Sequence, residues 1–389
     1  MNILTVNAGS SSVKVALFQG SLEPTTSVSI ENIGSTDASL IPEGKYGSSG
    51  TAPVEAVNHA EAVKQAVKWI YDQTNIATID GIGHRIVHGA DKYFQPTILD
   101  DSVIDAIDQL KQLAPNHMQP SLDCVNELMN EYPAVPQVAC FDTSFFHQIP
   151  EVARTLALPK RLRDQGIRRY GFHGLSYQYI LDNFAEHEGE TAANGRVIIA
   201  HLGSGSSMSA CLNGKPLDMT MGFTPASGLV MSSRSGDIDP GVIDFLLSSG
   251  HDRADIQRIL YKESGLLGLS EMTTDMYTLL QSEATDPRAK LAIDVYAYHI
   301  RKTIGAFSAV LGGVDSIIFS AGIGERSAEI RRRVCEPLEY LGIKLDPKRN
   351  EGGERLISSV DSDVGVHVIH THEDRIIAKQ TLSTIKEEK

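Results

Sequence analysis

Hydrophobic and polar positions alternate with a period of two over the first eighteen residues. Ile3 and Thr5 lead into Asn7-Ala8-Gly9-Ser10-Ser11-Ser12, and Val13, Val15 and Leu17 follow. This alternation predicts two strands around a tight turn. Residues 30–54 are rich in Gly, Ser and Pro and read as loop. At 59–74 the period changes: Ala62, Val63, Ala66, Val67 and Ile70 recur at helical spacing and predict a helix. A strand is expected from Ile79 to Val87, a helix from Val103 to Leu113, and a short buried strand from Val138 to Phe141. The pattern weakens between 144 and 165, where Arg154, Lys160, Arg161 and Arg163 accumulate, and a domain boundary is placed there.

The second half repeats the plan of the first. Ile199-Ala-His-Leu-Gly-Ser-Gly-Ser-Ser-Met-Ser-Ala-Cys-Leu-Asn-Gly214 and Thr5-Val-Asn-Ala-Gly-Ser-Ser-Ser-Val-Lys-Val-Ala-Leu-Phe-Gln-Gly20 both read as strand, Gly/Ser turn, strand and closing glycine. Further on, the strand-like Ser316-Ile-Ile-Phe-Ser320 runs into Ala321-Gly-Ile-Gly-Glu325, read as a turn. A helix is expected from Ser327 to Leu341. Two similar hairpins, each followed by α/β segments, suggest two related α/β domains facing each other across a cleft.

Composition narrows the class. A chain of 389 residues exceeds what one hydrophobic core ordinarily organises. With 41% hydrophobic and 22% charged residues it has a globular balance. A formal net charge of −14 repels a phosphate backbone and argues against nucleic acid as partner. The start lacks the basic and long apolar stretches of a signal peptide, and no apolar run approaches the ~20 residues of a membrane span. Cys124, Cys140, Cys211 and Cys335 are widely spaced, and Cys140 and Cys211 fall in strand-like runs as small core residues. The expectation is a cytoplasmic protein with no membrane contact.

Glycine lets backbone N–H groups approach a phosphate, and serine hydroxyls add donors, so the two Gly/Ser turns are candidate phosphate cradles as well as plain hairpin turns. Lys14 follows the first. Ala321-Gly-Ile-Gly-Glu325 has the placement of a nucleotide-binding turn, though no Walker loop occurs in the chain, and Ser327 reads as a helix cap. Arg85 lies in Gly83-His-Arg-Ile-Val-His-Gly89, His173 between glycines in Arg168-Arg-Tyr-Gly-Phe-His-Gly174, and Arg234 in a polar loop. Two arginines and a histidine from separate segments could bind a carboxylate and a transferring phosphoryl group. They could equally be solvated or space-filling side chains. Asp142 ends a strand, and Glu373 adds a carboxylate from the far end of the chain. A metal at His84 and His88 lacks completing ligands nearby.

These segments together resemble the acetate kinase family, whose fold is shared with sugar kinases, actin and heat-shock chaperones. The matches run along nearly the whole chain and include Asn7-Ala-Gly-Ser-Ser-Ser-Val-Lys14, Gly83–Gly89, Phe141-Asp-Thr143, Tyr170-Gly-Phe-His-Gly174, His201-Leu-Gly203, Met221-Gly-Phe-Thr-Pro225, Arg234-Ser-Gly-Asp-Ile-Asp-Pro240 and Ala321–Glu325. The resemblance implies an α/β fold of duplicated ribonuclease-H-like, actin-like domains around a central cleft. The first would cover 1–146, joined by a C-terminal helix 375–389, and the second, nucleotide-binding, 147–374. It implies reversible transfer of the ATP γ-phosphate to acetate with Mg2+, Mn2+ being admissible, in a homodimer.

By the same resemblance Arg85, Asp142, His173 and Arg234 are catalytic. Arg85, Val87, Asn116, Phe172 and Pro225 meet the acid. Lys14, His201, Leu202, Gly203, Ser204, Gly205, Asp286, Pro287, Arg288, Gly322, Ile323, Gly324, Glu325 and Arg326 serve the nucleotide, and Asn7 and Glu373 the metal. Ser10 and Ser12 line the phosphate side, and His117 falls on a family histidine. Asn116, Ser204 and Arg326 depart from the common family residues: the first bears on the acyl chain, the others on the nucleotide. Propionate or butyrate would need only a different acyl pocket. An actin-like ATP-binding module would not need Arg85, Arg234 and His173 together.

Overall fold

The computed structural model describes residues 1–44, 50–74 and 76–388, apart from the side chains of residues 115 and 116. It divides into two compact units, residues 1–145 with 372–389, and residues 146–371.

The sheet of the first unit contains, among the described residues, β1 (Asn2–Ala8), β2 (Val13–Gln19), β3 (Pro24–Glu31), β4 (Ser39–Glu43), β5 (Ala52–Pro53), β6 (Gly81–Ile86), β7 (Thr97–Ile98) and β8 (Gln137–Phe141), in the order β5-β4-β3-β2-β1-β6-β8-β7. The β1–β2 hairpin is antiparallel, and β1, β6 and β8 run parallel. Alternate residues of a strand face opposite ways. Leu4 and Val6 therefore join Val63, Val67 and Ile70 of the helix His59–Thr74 in one core, while Ile3 faces the other side. On that other side the helix Glu373–Glu387 packs against β6. A Cβ on Gly81 would stand 2.3 Å from Ile385 Cδ1, and one on Gly83 2.1 Å from Thr381 Oγ1. Those two glycines let the helix reach the sheet.

The segment 30–54, read as loop, instead carries the end of β3 together with β4 and β5; residues 45–49 lie outside the described ones. β4 has only five residues, alternately buried and intermediate, and the edge strand β5 is two exposed residues, so their apolar signal is weak. The helix expected over 103–113 is an α-helix, Asp101–Asp108, capped by the Asp100 side chain, followed by a 3-10 turn, Gln109–Leu113.

The sheet of the second unit has the order β11 (Lys215–Met219), β10 (Ser206–Leu212), β9 (Val197–Leu202), β12 (Ser316–Ser320), β13 (Gly365–Val368). β9 to β11 are antiparallel neighbours, and β9, β12 and β13 are parallel. Strand for strand this repeats β3-β2-β1-β6-β8, so the fold is a duplicated α/β topology. Ile198, Ala200 and Leu202 pack with Ile293, Tyr296, Ile300 and Ile304 of the long helix Pro287–Leu311. Cys140 and Cys211 are buried in β8 and β10, and all four cysteines are free thiols. Among the described residues no helix is long and apolar enough to cross a membrane.

Ala321–Arg326 is a short helix rather than a turn, entered through Ala321 in the left-handed region, φ 62°. Local reading missed it because two glycines in six residues mimic a turn. Ser327 does cap the next helix, Ala328–Cys335, accepting from the Ile330 N–H.

Candidate active site

In the first unit parallel pairing brings the ends of β1, β6 and β8 side by side, and so gathers Asn7, Arg85 and Asp142. Arg85 Nη2 donates to Asp142 Oδ2 at 2.7 Å, and Nε lies 3.1 and 3.2 Å from its two carboxylate oxygens. Arg85 Nη1 donates to Asn7 Oδ1 at 3.0 Å and lies 3.4 Å from Glu373 Oε2, which also accepts from Asn7 Nδ2 at 2.8 Å. The Asp142 side chain is 1% exposed. Burial acts to lower the Arg85 pKa, but Asp142 and Glu373 outweigh it and hold the guanidinium above its ordinary value.

Lys14 stands on β2, one strand away. Its ammonium is held by Glu43 at 2.8 Å and Asp374 at 3.3 Å, so two carboxylates already compete for it. Burial pushes the Asp374 carboxyl up, with Lys14 acting against it. The turn that precedes Lys14 is closed by Gly9 N donating to Ser12 O at 2.8 Å and carried by His59 Nε2, 2.9 Å from Gly9 O. His84 is buried in β6 with its Nε2 2.7 Å from Gln137 Oε1, a core contact.

Asn7, Asp142 and Glu373 gather amide and carboxylate oxygens, all hard donors, around a single arginine. Two carboxylates against one guanidinium leave the group net negative, which suits a divalent cation. Among the described residues no set of three His, Cys, Asp or Glu side chains could hold a metal by itself. Water and substrate phosphates would have to complete the shell, as magnesium commonly accepts.

In the second unit a histidine and an arginine gather at the turn between β9 and β10. His173 enters the helix Gly174–Glu188 in the left-handed region, φ 63°, with Nδ1 2.8 Å from Ser207 Oγ. Tyr177 OH is 2.7 Å from the same hydroxyl, and the His173 and His201 rings stack with centroids 4.4 Å apart. A Cβ on Gly205 would lie 2.5 Å from Arg234 Nη2 and 3.4 Å from His173 Nε2, so the guanidinium and the imidazole converge over that glycine. Arg234 Nη1 donates to Pro225 O at 2.6 Å. No carboxylate among the described residues forms an ion pair with Arg234. Burial lowers its pKa, opposed by Tyr261. An arginine in that setting favours an anion. Phe172 and Pro225 are buried in this unit and Val87 in the first; the Asn116 side chain lies outside the described residues.

A cavity of about 790 Å³ opens in the second unit; its lining includes Gly203, Ser204, Ser232, Gly322, Ile323 and Arg326 together with Thr274–Tyr277, Leu280, Gln281 and Glu283. Its volume lies within the range of small-ligand sites. The contribution of residues 274–283 was missed in the sequence; its one local signal is Asp275, whose side chain accepts from Thr278 N and starts the helix Met276–Ser282. Asp286, Pro287 and Arg288 do not line the cavity. Asp286 caps the long helix, accepting from Arg288 N, and Arg288 pairs with Asp286 and Glu271. His201, Leu202, Gly205, Gly324 and Glu325 also stay out of the lining; Gly324 packs against Leu202 and Phe319.

A family model described as the acetokinase family matches residues 2–379. An acetate kinase of Rhodopseudomonas palustris is 41% identical over 397 aligned positions, covering 97% of this chain and 96% of that protein. The crystal structure of an acetate kinase from Porphyromonas gingivalis is similar with a TM-score of 0.88 and 35% identity, covering 99% of both chains. That of a propionate kinase from Francisella tularensis gives a TM-score of 0.91 and 31% identity, covering 98% of this chain and 99% of the other.

Proposed function

This chain belongs to the acetokinase family, and from that premise we propose that it transfers the ATP γ-phosphate reversibly to the carboxylate of acetate, giving acetyl phosphate and ADP. It is a phosphotransferase with a carboxyl group as acceptor. The observation that carries the assignment of roles is Arg234, a largely buried guanidinium without a carboxylate partner among the described residues, sharing Gly205 with His173.

In this reading Arg234 and His173 bind the phosphoryl group in flight, and Ser207 fixes the imidazole by holding Nδ1. Asp142 locks the Arg85 fork, so that Arg85 meets the acid or phosphoryl oxygens without reorganising. A carboxylate is already ionised near pH 7 and needs no general base, which matches a site of cations and orienting acids. Asn7 and Glu373 would hold a divalent cation, magnesium with manganese as substitute. That ion supplies neutralisation of charge on the β- and γ-phosphoryl oxygens. The 790 Å³ cavity would take the nucleoside, with Ser204 and Arg326 at its phosphate and base ends. Lys14 would act through Asp374 and not by touching phosphate.

We assign the chain to the cytoplasm and to a homodimer. The helix Pro240–Ser248 supports the second point: Val242, Ile243, Phe245 and Leu247 are all exposed, an apolar surface that a monomer would leave in water. The similarity to a propionate kinase favours propionate as the second reading. A coupled assay of acyl phosphate formation from ATP with acetate, propionate and butyrate, with and without chelator, tests both. Highest kcat/KM on acetate, abolished by chelation, is expected; no acyl phosphate from any of the three acids would overturn the assignment.

A further inference from the structure

Resting on that function, we propose that Glu325 is a positioning residue that ties the segment lining the nucleotide cavity to the stretch of chain that presents Glu373. Its Oε1 accepts from the backbone N–H of Ala321 at 2.8 Å and of Thr371 at 3.2 Å, and its Oε2 lies 2.7 Å from His370 Nδ1. The side chain is only 11% exposed. One carboxylate is thus shared between the start of the helix Ala321–Arg326 and the chain after β13.

Both ends of this link lead to the chemistry. Ala321 holds a left-handed conformation that is unfavourable for a residue with a Cβ and persists only where its surroundings impose it. Glu325 satisfies the N–H that this conformation presents, and Gly322 and Ile323, the next two residues, line the cavity. At the other end the chain passes from one unit to the other after Thr371, and two residues later Glu373 accepts from Asn7. Thr371 is also fixed through its hydroxyl, 3.1 Å from Ser176 Oγ in the first turn of the helix that His173 opens. A carboxylate so fully engaged, and outside the cavity lining, acts through other residues rather than as a nucleotide ligand.

The test is calorimetric binding of ADP with magnesium and of ADP with chelator, in the parent, Glu325→Ala, Glu325→Gln and Glu373→Gln, with unfolding midpoints recorded alongside. Gln keeps an acceptor for Ala321 and Thr371, so Glu325→Gln should bind the magnesium complex within about threefold of the parent, whereas Glu325→Ala should weaken it about tenfold or more. The gain that magnesium gives should shrink in Glu325→Ala towards its value in Glu373→Gln. Equal weakening of both ADP forms would overturn the link to Glu373, and so would Gln failing as badly as Ala. If Glu325→Ala does not fold, Glu325→Asp, which retracts the carboxylate by one methylene, must show the same selective loss. A parent that binds ADP no better with magnesium would count against the proposed function itself, independently of Glu325.

Discussion

Arg234 and Gly205 touch across the space a side chain would need: a methyl group on Gly205 would stand 2.5 Å from Arg234 Nη2. The clashing atom is the far end of a flexible side chain, and Gly205 has no left-handed backbone to protect. Gly205→Ala should therefore fold with a midpoint near that of the parent while the guanidinium is pushed off His173. A kcat loss of about 10-fold or more is expected, since small misplacements at a reacting centre are costly. Thermal melts and steady-state kinetics check this together; unchanged kcat would remove Arg234 from the reaction.

The two arginines should separate in stability while both are expected to affect rate. Either alanine substitution should lower kcat by roughly 10³-fold, and lysine should rescue poorly because it lacks the planar fork. Removing Arg85 also leaves Asp142 buried without its cation, a loss of about 3–5 kcal/mol. Arg234→Met takes away an uncompensated, largely buried cation, so its unfolding free energy should equal or exceed the parent's. Urea unfolding of both variants decides the sign.

Acid should weaken both units through buried imidazoles. Burial pushes His84 down to about 4, with Gln137 opposing, and His367 down to about 4, with Glu188 opposing. Their folded pKa values are lowered, so the unfolded chain takes up the protons first as pH falls. The stability is fully present above the unfolded value near 6.5, is lost progressively down to about 4 and changes no further below that. Roughly 3 kcal/mol is at stake at His84. His84→Gln should flatten the decline in a series of unfolding curves from about pH 7 to pH 4; a parallel decline would refute the assignment.

The exposed helix Pro240–Ser248 gives a prediction in solution. Phe245, 69% exposed, should lie in the dimer contact, and Phe245→Glu should shift the protein to a monomer by light scattering. A monomeric parent would end that proposal.

Much of the fold is written locally. The hairpins 2–18 and 199–212, the helix 59–74 and the strand 316–320 each carry their own period, because one buried face recurs every second or every 3.6 residues. Arg85, Asp142, His173 and Arg234 were singled out through the family motifs in which they stand, not from periodicity, and the structure gathers Arg85 with Asp142 and Arg234 with His173. The short strands at 39–43 and 52–53 were not legible, having too few residues to show a period, nor was the helix 321–326, whose glycines imitate a turn.

What only the tertiary structure decided is which charges meet. Nothing in the sequence around Lys14 says that Glu43 and Asp374 hold it, or that Arg85 is locked by Asp142 and Asn7 while Arg234 has only a carbonyl. The segment Thr274–Tyr277, rather than Asp286–Arg288, lines the cavity for the same reason. Pairings across 57, 78 or 360 residues are set by strand register and helix packing, and a local pattern of apolar positions fixes which side of an element is buried, not which distant side chain it will find there.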